Sequence, residues 1–256
     1  MGMSRRQAIT TAAAMAAPTS GFLSVAGRAQ ERTKIRLVIL DIGGTIIEDH
    51  GEVPNAMHAA LKRHGIEVTF DEIGDWRGAS KREMVRHFVQ LRTATAAEDR
   101  TMIDAIYRDF TDQVNTAYLA VKPIAGAEDT MKELRAGGYI LATTTGFDKP
   151  LTRAILDRLR WQNFFVASIT SDDVIDGRPA PYMLFHAMEA ARVGNVAEAI
   201  AVGDTPLDLQ AANNGGLAGV IGVYSGAATE ERLKREKYTE ILPSIASLPA
   251  LIRARF

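Results

Sequence analysis

Five short apolar runs, each stopped by a glycine or a polar residue, constrain the fold of this 256-residue chain more than any other feature. They are IRLVIL (35–40), YILATTT (139–145), FFVASIT (164–170), AIAVGD (199–204) and GVIGVY (219–224). Runs of this length without polar alternation suit strands covered on both faces. Helical stretches separate or follow the later runs: Ala127–Ala136, Lys149–Leu159, Pro181–Arg192, Leu207–Asn213 and Thr229–Arg235. The alternation predicts an α/β fold with a doubly wound, Rossmann-like parallel sheet.

Residues 47–122 interrupt that alternation. Helical patterns near 54–64, 80–91 and 97–118 occur there with no convincing strand, and VKPIAG (121–126) returns the chain to the sheet. The pattern predicts a core domain made of residues 31–46 and 123–256, with an inserted helical cap domain over 47–122. The insertion should lie over the carboxyl edge of the sheet, where ligands bind in such folds.

Composition removes several classes. Thirty Lys and Arg against 31 Asp and Glu give a net charge of −1, which offers no argument for a nucleic-acid partner or an anionic membrane surface, and neither is expected. With no cysteine, disulfides, thiolate nucleophiles and cysteine metal sites are excluded. The first 30 residues carry Ser4-Arg5-Arg6, then a weakly apolar Ala/Thr-rich run broken by Pro18, with no acid before Glu31. This order predicts a twin-arginine export signal cleaved after Ala29 and a periplasmic mature protein beginning near Gln30. The run is too short and too weakly hydrophobic for a lasting membrane span. A disordered tail on a cytoplasmic protein is the alternative.

Four pieces at strand ends carry chemistry. Asp41 closes the first run, and Gly43-Gly44 lets the backbone turn sharply behind it. An aspartate there can attack phosphorus, or merely cap a turn. In TTTGF, Thr145 and Gly146 end the second run with a hydroxyl and a free N–H suited to phosphate oxygens. In DGRPAPYM, two prolines fix the loop that delivers Arg178, whose guanidinium can balance a carboxylate or grip phosphate. In AVGDTPLDLQAANN, Asp204 ends the fourth run and Asp208 opens the next helix on the same side. Hard oxygen ligands from Asp41 and Asp204 suit Mg²⁺, while helix capping is the plain role for Asp208.

Together and in this order, the four pieces resemble the haloacid dehalogenase superfamily of phosphohydrolases over residues 35 to about 250. The resemblance implies Asp41 as nucleophile and Thr145, Arg178, Gly44 and Gly146 as contacts to the phosphoryl group. It implies a Mg²⁺ held by Asp41, Asp204 and the backbone carbonyl of Gly43, with Asp208 as an orienting acid outside the direct ligands. The substrate would be a small phosphorylated or phosphonate molecule. A homodimer through the cap is a further expectation.

Gly43 narrows the reading. Phosphatases of this superfamily usually carry a second Asp there, which protonates the leaving oxygen. General acid–base help is worth about 10²–10⁴-fold, and glycine supplies none. The phosphonoacetaldehyde hydrolase branch has alanine at that place, because its substrate leaves through carbon after forming a Schiff base with a cap lysine. TTTGF, SDDVIDGRPAPYM and VGDTPLD resemble that branch's motifs. In GASKREMVRHF, Lys81 opens a helix and falls on the position of the Schiff-base lysine. Such an amine needs a lowered pKa, from desolvation or from Arg77 and Arg82 nearby; a lysine that only grips phosphate is the alternative. Arg77, Met84 and Phe147 depart from the methionine, histidine and tyrosine of that branch. The implied activity is a phosphonatase-like cleavage of a C–P bond. Its rivals are a phosphate-monoester phosphatase (phosphoglycolate phosphatase-like) or phosphomutase-like enzyme borrowing an acid from Glu48, Asp49 or His50, and an inactive phospho-ligand-binding protein. Asp172-Asp173 reads as a capped turn, Trp76 and Trp161 as packing, and His58, His64, His87 and His186 receive no role.

Overall fold

A computed structural model describes residues 34–93 and 100–256. The predicted export signal lies outside the described residues, as does the start of the helix expected from residue 97. The described residues belong to one compact unit, Thr33–Phe256. Among them, no helix is long and apolar enough to cross a membrane.

Six parallel strands form one sheet: β1 (Leu37–Leu40), β2 (Ile140–Thr145), β3 (Ser168–Thr170), β4 (Ala199–Gly203), β5 (Gly219–Val223) and β6 (Glu240–Leu242). Their order is β3-β2-β1-β4-β5-β6, with Leu37 in register with Ile140 on one side and Ala199 on the other. The order reverses between β1 and β4, which makes the carboxyl end of β1 the switch point where such sheets bind ligands. Alternate residues of β1 serve opposite faces, as the pleat requires. Val38 and Leu40 join one buried cluster, with Leu151, Ile155 and Ile252, while Leu37 and Ile39 join the other, with Leu184, Ala187 and Leu209.

Among the described residues, four helices are inserted between β1 and the rest of the sheet: α1 (Glu52–Arg63), α2 (Phe70–Asp75), α3 (Lys81–Arg92) and α4 (Arg100–Ala117). Their apolar faces, including Met57, Phe88, Ile106 and Phe110, run into the cluster that contains Val38 and Leu40. The remaining helices are α5 (Ala127–Ala136), α6 (Lys149–Leu159), α7 (Tyr182–Ala190), α8 (Pro206–Asn214), α9 (Glu230–Leu233) and α10 (Leu248–Arg255). Their starts are written locally. Asp148 caps α6 by accepting from the Leu151 N–H at 2.9 Å, with a proline in the first turn. Thr205 and Asp208 form a reciprocal capping box on α8.

Four elements differ from the sequence reading, among them helix α10, which lies beyond the last helical stretch expected from the sequence. The strand expected over 164–170 is regular only at Ser168–Thr170, because Gln162–Phe164 close a 3₁₀ turn and Phe164 and Phe165 pack sideways onto the core. The edge strand β6 was not anticipated; it is three residues long and only partly buried. Helix α2 was also missed, although Thr69 and Glu72 form a complete capping box at its start.

Candidate active site

The site is assembled at the carboxyl ends of β1, β2 and β4. Asp41 lies one residue beyond β1, and its N–H donates to the Val202 carbonyl at 2.9 Å. Asp41 Oδ1 accepts from Arg178 Nη1 at 2.9 Å, and the same nitrogen lies 2.8 Å from Asp208 Oδ1. Arg178 Nη2 donates to the carbonyl and the hydroxyl of Thr144, at 2.9 and 2.8 Å. Arg178 is therefore a buried bracket between two carboxylates and the end of β2, which first of all balances the charge of Asp41. Its loop is tied to the insertion by the Gly177 N–H, which donates to Glu83 Oε1 at 3.2 Å.

Asp204 follows β4 and is fully buried. Its Oδ2 accepts from the Ala227 N–H at 2.5 Å, and Thr45 Oγ1 lies 3.5 Å from Oδ1. Asp208 divides its two oxygens: Oδ2 closes the capping box with Thr205 at 2.5 Å, while Oδ1 meets Arg178. The capping role and the orienting role thus belong to one side chain. Gly44 has φ +78°, and a Cβ there would sit 2.3 Å from Asp204 Oδ2, so only glycine fits. Its N–H is taken by the Ile47 carbonyl at 2.8 Å, and Gly44 packs against Asp204 without lining the cavity.

Oxygens of Asp41, Asp204 and Asp208 lie within 4.8 Å of one another. Burial pushes the Asp41 carboxyl up to about 7 against the pull of Arg178, with repulsion from Asp208 adding to the rise. Burial, then Asp41 and Asp208, push Asp204 well above the carboxylate range. Three buried carboxylates face one buried guanidinium, an excess of negative charge in an all-oxygen donor set. That set fits a hard divalent cation such as Mg²⁺.

Lys81 enters from the insertion. Ser80 caps α3 by accepting from the Glu83 N–H at 3.4 Å, and Lys81 is the first residue of the helix. It is 5% exposed, and its Nζ donates to the Ala79 carbonyl at 2.8 Å. Burial lowers the amine to about 8; Asp41 opposes this, and Arg178 and Arg77 add to it. Arg82 instead points outward, paired with Asp104 and stacked over Tyr107. The approach of the two parts depends on Gly146, where a Cβ would lie 2.3 Å from the Ala79 carbonyl oxygen.

A cavity of about 30 Å³ gathers these groups, with Asp41, Gly43, Lys81, Thr145, Arg178 and Asp204 on its walls. Asp49 and Arg77, which pair with each other, line its insertion side. The other two acids considered as substitutes at position 43 lie elsewhere: Glu48 and His50 bond to each other at 3.1 Å beside a separate cavity.

Residues 35–216 match the model of the haloacid dehalogenase-like hydrolases. The chain belongs to that family. The phosphonoacetaldehyde hydrolase of Paraburkholderia xenovorans (strain LB400) is 30% identical over 195 residues, 71% of this chain and 72% of that one. That of Nitratidesulfovibrio vulgaris is 28% identical over 197 residues, 72% of this chain and 69% of the other. A phosphonoacetaldehyde hydrolase-like protein from Oleispira antarctica shares the fold, with TM-score 0.76 at 22% identity over 87% of this chain and 93% of its own. So does a hydrolase from Pseudomonas syringae, with TM-score 0.77 at 18% identity over 86% and 99%.

In this hydrolase, Asp41, Gly43, Lys81, Thr145, Gly146, Arg178 and Asp204 share one cavity, with Asp208 just behind Arg178. Several contributors escaped the sequence reading, among them Ala227, which lines the cavity and donates its N–H to Asp204. Thr144 holds Arg178 through both of its oxygens, and Thr205 lines the cavity while capping Asp208. The Thr205-x-x-Asp208 spacing was a legible capping signal; nothing in TTTGF distinguishes Thr144 from Thr145. The residues given no role stay outside the site. Asp173 caps the turn after β3 and pairs with Lys149, Trp161 is buried, and Trp76 stacks on His87 at 4.3 Å.

Proposed function

We propose that this hydrolase cleaves the C–P bond of a small phosphonate bearing a carbonyl one carbon from the phosphorus-bound carbon, with phosphonoacetaldehyde as the first candidate. The observation that carries the reading is a buried lysine of lowered pKa in the cavity of Asp41, beside a position 43 that has no acid. The names of its relatives at 28–30% identity support the same chemistry.

Neutral Lys81 adds to the carbonyl carbon, a proton is taken up from solvent and water leaves, giving an iminium. Asp41 attacks phosphorus. The P–C bond breaks, and its electron pair flows into the iminium to give an enamine, so no leaving oxygen needs a proton. Protonation and hydrolysis of the enamine return Lys81 and release the aldehyde. Water then cleaves the aspartyl-phosphate, freeing phosphate and Asp41. Arg178 opposes the burial-driven rise of the Asp41 pKa and aims its carboxylate, while Thr145 and Gly146 offer a hydroxyl and an N–H to phosphonate oxygens. Asp41 and Asp204, with the Gly43 carbonyl, would hold a Mg²⁺, which would supply charge neutralisation for the dianionic group. The inserted helices act as the cap that brings Lys81 to the sheet edge.

One observation favours a second reading. Asp49 is a further carboxylate on the cavity wall and could protonate an ester oxygen once released from Arg77. A screen of the purified protein with Mg²⁺ against phosphonoacetaldehyde and phosphate monoesters separates the two. The proposal expects phosphate and acetaldehyde from the phosphonate; brisk ester hydrolysis with no C–P cleavage would replace it by the phosphatase reading. Export on the Arg5-Arg6 signal belongs to the same proposal. Fractionation with N-terminal sequencing should find a periplasmic chain beginning near Gln30, and an intact cytoplasmic N-terminus would refute export.

A further inference from the structure

Phe147 follows Thr145 and Gly146 off β2 and is 4% exposed. Its N–H donates to Thr145 Oγ1 at 3.1 Å, and its carbonyl accepts from Ser171 Oγ at 3.3 Å. Three neighbours confine the ring. Tyr118 packs edge-on, with centroids 5.4 Å apart and the planes at 68°. Lys81 Nζ stands 5.7 Å from the ring centroid. On the third side is Gly43, where a Cβ would lie 3.3 Å from Phe147 Cζ and 3.6 Å from Cε2. The shorter approach is tighter than the usual carbon–carbon optimum of about 3.5–4.0 Å, and it is reached before any further side-chain atom is added. Glycine at 43 and phenylalanine at 147 are two halves of one wall.

We propose that Phe147 is a specificity-determining residue: its ring fills the space that a proton-donating side chain at position 43 would need, and so keeps the leaving-group side of the cavity free of an acid. The inference rests on the reading of Asp41 as nucleophile. In ester hydrolysis, a bond forms from Asp41 to phosphorus and the P–O bond to the alcohol breaks. The electron pair goes to the alcohol oxygen, which must take a proton from an acid. With the ring in place, restoring a carboxyl at 43 does not by itself restore a competent acid. A carbon leaving group that discharges into an iminium needs none, so the same ring is harmless to that reaction. The absent acid is therefore a property of two residues from different strand ends, and the glycine alone does not define it.

The test compares wild type, Gly43→Asp and Gly43→Asp/Phe147→Leu, each with Mg²⁺, on ethyl phosphate and p-nitrophenyl phosphate. Ethoxide is a poor leaving group and needs a proton; nitrophenolate does not, so the ratio of the two turnover numbers reads acid assistance and not general damage. The ratio should rise less than about 3-fold in Gly43→Asp and at least about 10-fold more in the double variant, within the usual range of general acid help. A full rise in Gly43→Asp alone overturns the proposal, as does a folded double variant with no rise. Should the double variant not fold, thermal unfolding of Gly43→Ala and Gly43→Ala/Phe147→Leu decides. Phe147→Leu should recover part of the midpoint lost in Gly43→Ala, and strictly additive losses overturn the shared wall. Ester turnover that survives Asp41→Asn is a separate result, which removes the nucleophile reading beneath the proposal.

Discussion

The two walls of the cavity are built on different physical terms. The sheet wall is locked: Arg178 is held by Asp41, Asp208 and both oxygens of Thr144, and Asp204 is held by the Ala227 N–H. The wall supplied by the insertion is lighter. Arg77 pairs with Asp49, and the Lys81 ammonium bonds to the Ala79 carbonyl. On the proposed reading, the groups that meet the phosphoryl unit sit on the first wall. On the same reading Lys81, which meets what is attached to phosphorus, sits on the second. The comparison implies that changes at Asp41, Arg178 or Asp204 on the sheet wall abolish all chemistry, while changes at Lys81 on the other wall, or at the Gly43–Phe147 pair between them, choose among substrates.

The largest expected effect breaks the sheet wall. Asp41→Asn should lower phosphate release by about 10⁴-fold or more, as loss of a covalent nucleophile does, and equally for phosphonates and esters in a phosphate assay. Activity retained in this variant would place the chemistry elsewhere. Next comes the opposite wall. Lys81→Arg keeps the charge but cannot form an imine, so kcat for phosphonoacetaldehyde should fall by about 10³-fold while any ester turnover stays within a few-fold. A parallel loss on both substrates would mean that Lys81 only binds phosphate.

Stability sharpens the same contrast. Arg178→Ala strands two buried carboxylates and should cost about 3–5 kcal/mol in urea unfolding. Arg77→Ala, at the lighter wall, should cost less than half of that. The last effect has the opposite sign. The Lys81 amine titrates near 8 in the folded chain against 10.5 for an ordinary lysine. A depressed folded pKa means that its full contribution is present only above the unfolded value and is lost as the pH falls through 8. Below pH 8 the fold therefore carries a buried charge, and Lys81→Met should stabilise the protein there by up to about 3 kcal/mol. The gain should vanish towards pH 10.5, as thermal midpoints across pH will show.

Most of the sheet was legible because buried parallel strands leave unbroken apolar runs, as in Leu37–Leu40 and Ala199–Gly203. The edge was not: β6 is Glu-Ile-Leu, too short and too exposed to stand out from a loop. On the sheet wall, Asp41, Thr145, Arg178 and Asp204 could be named because each terminates or follows an element whose end is visible in sequence. The direction in which Arg178 points could not, since that depends on Thr144 and Asp208 coming together across the fold. Phe147 stood out only as a departure from a resemblance. Its contact with Gly43 joins residues more than a hundred positions apart, which local patterns do not encode.

The central claim is that Lys81 is an electron sink and not a phosphate grip. The most direct measurement is borohydride reduction of the wild-type protein during turnover of phosphonoacetaldehyde, followed by peptide mass analysis. The account predicts a stable two-carbon adduct on the peptide containing Lys81, absent in Lys81→Arg. Its yield should climb with pH and level off above about 8, where the amine is neutral. Phosphate released from phosphonoacetaldehyde with no adduct at Lys81 at any pH would contradict it.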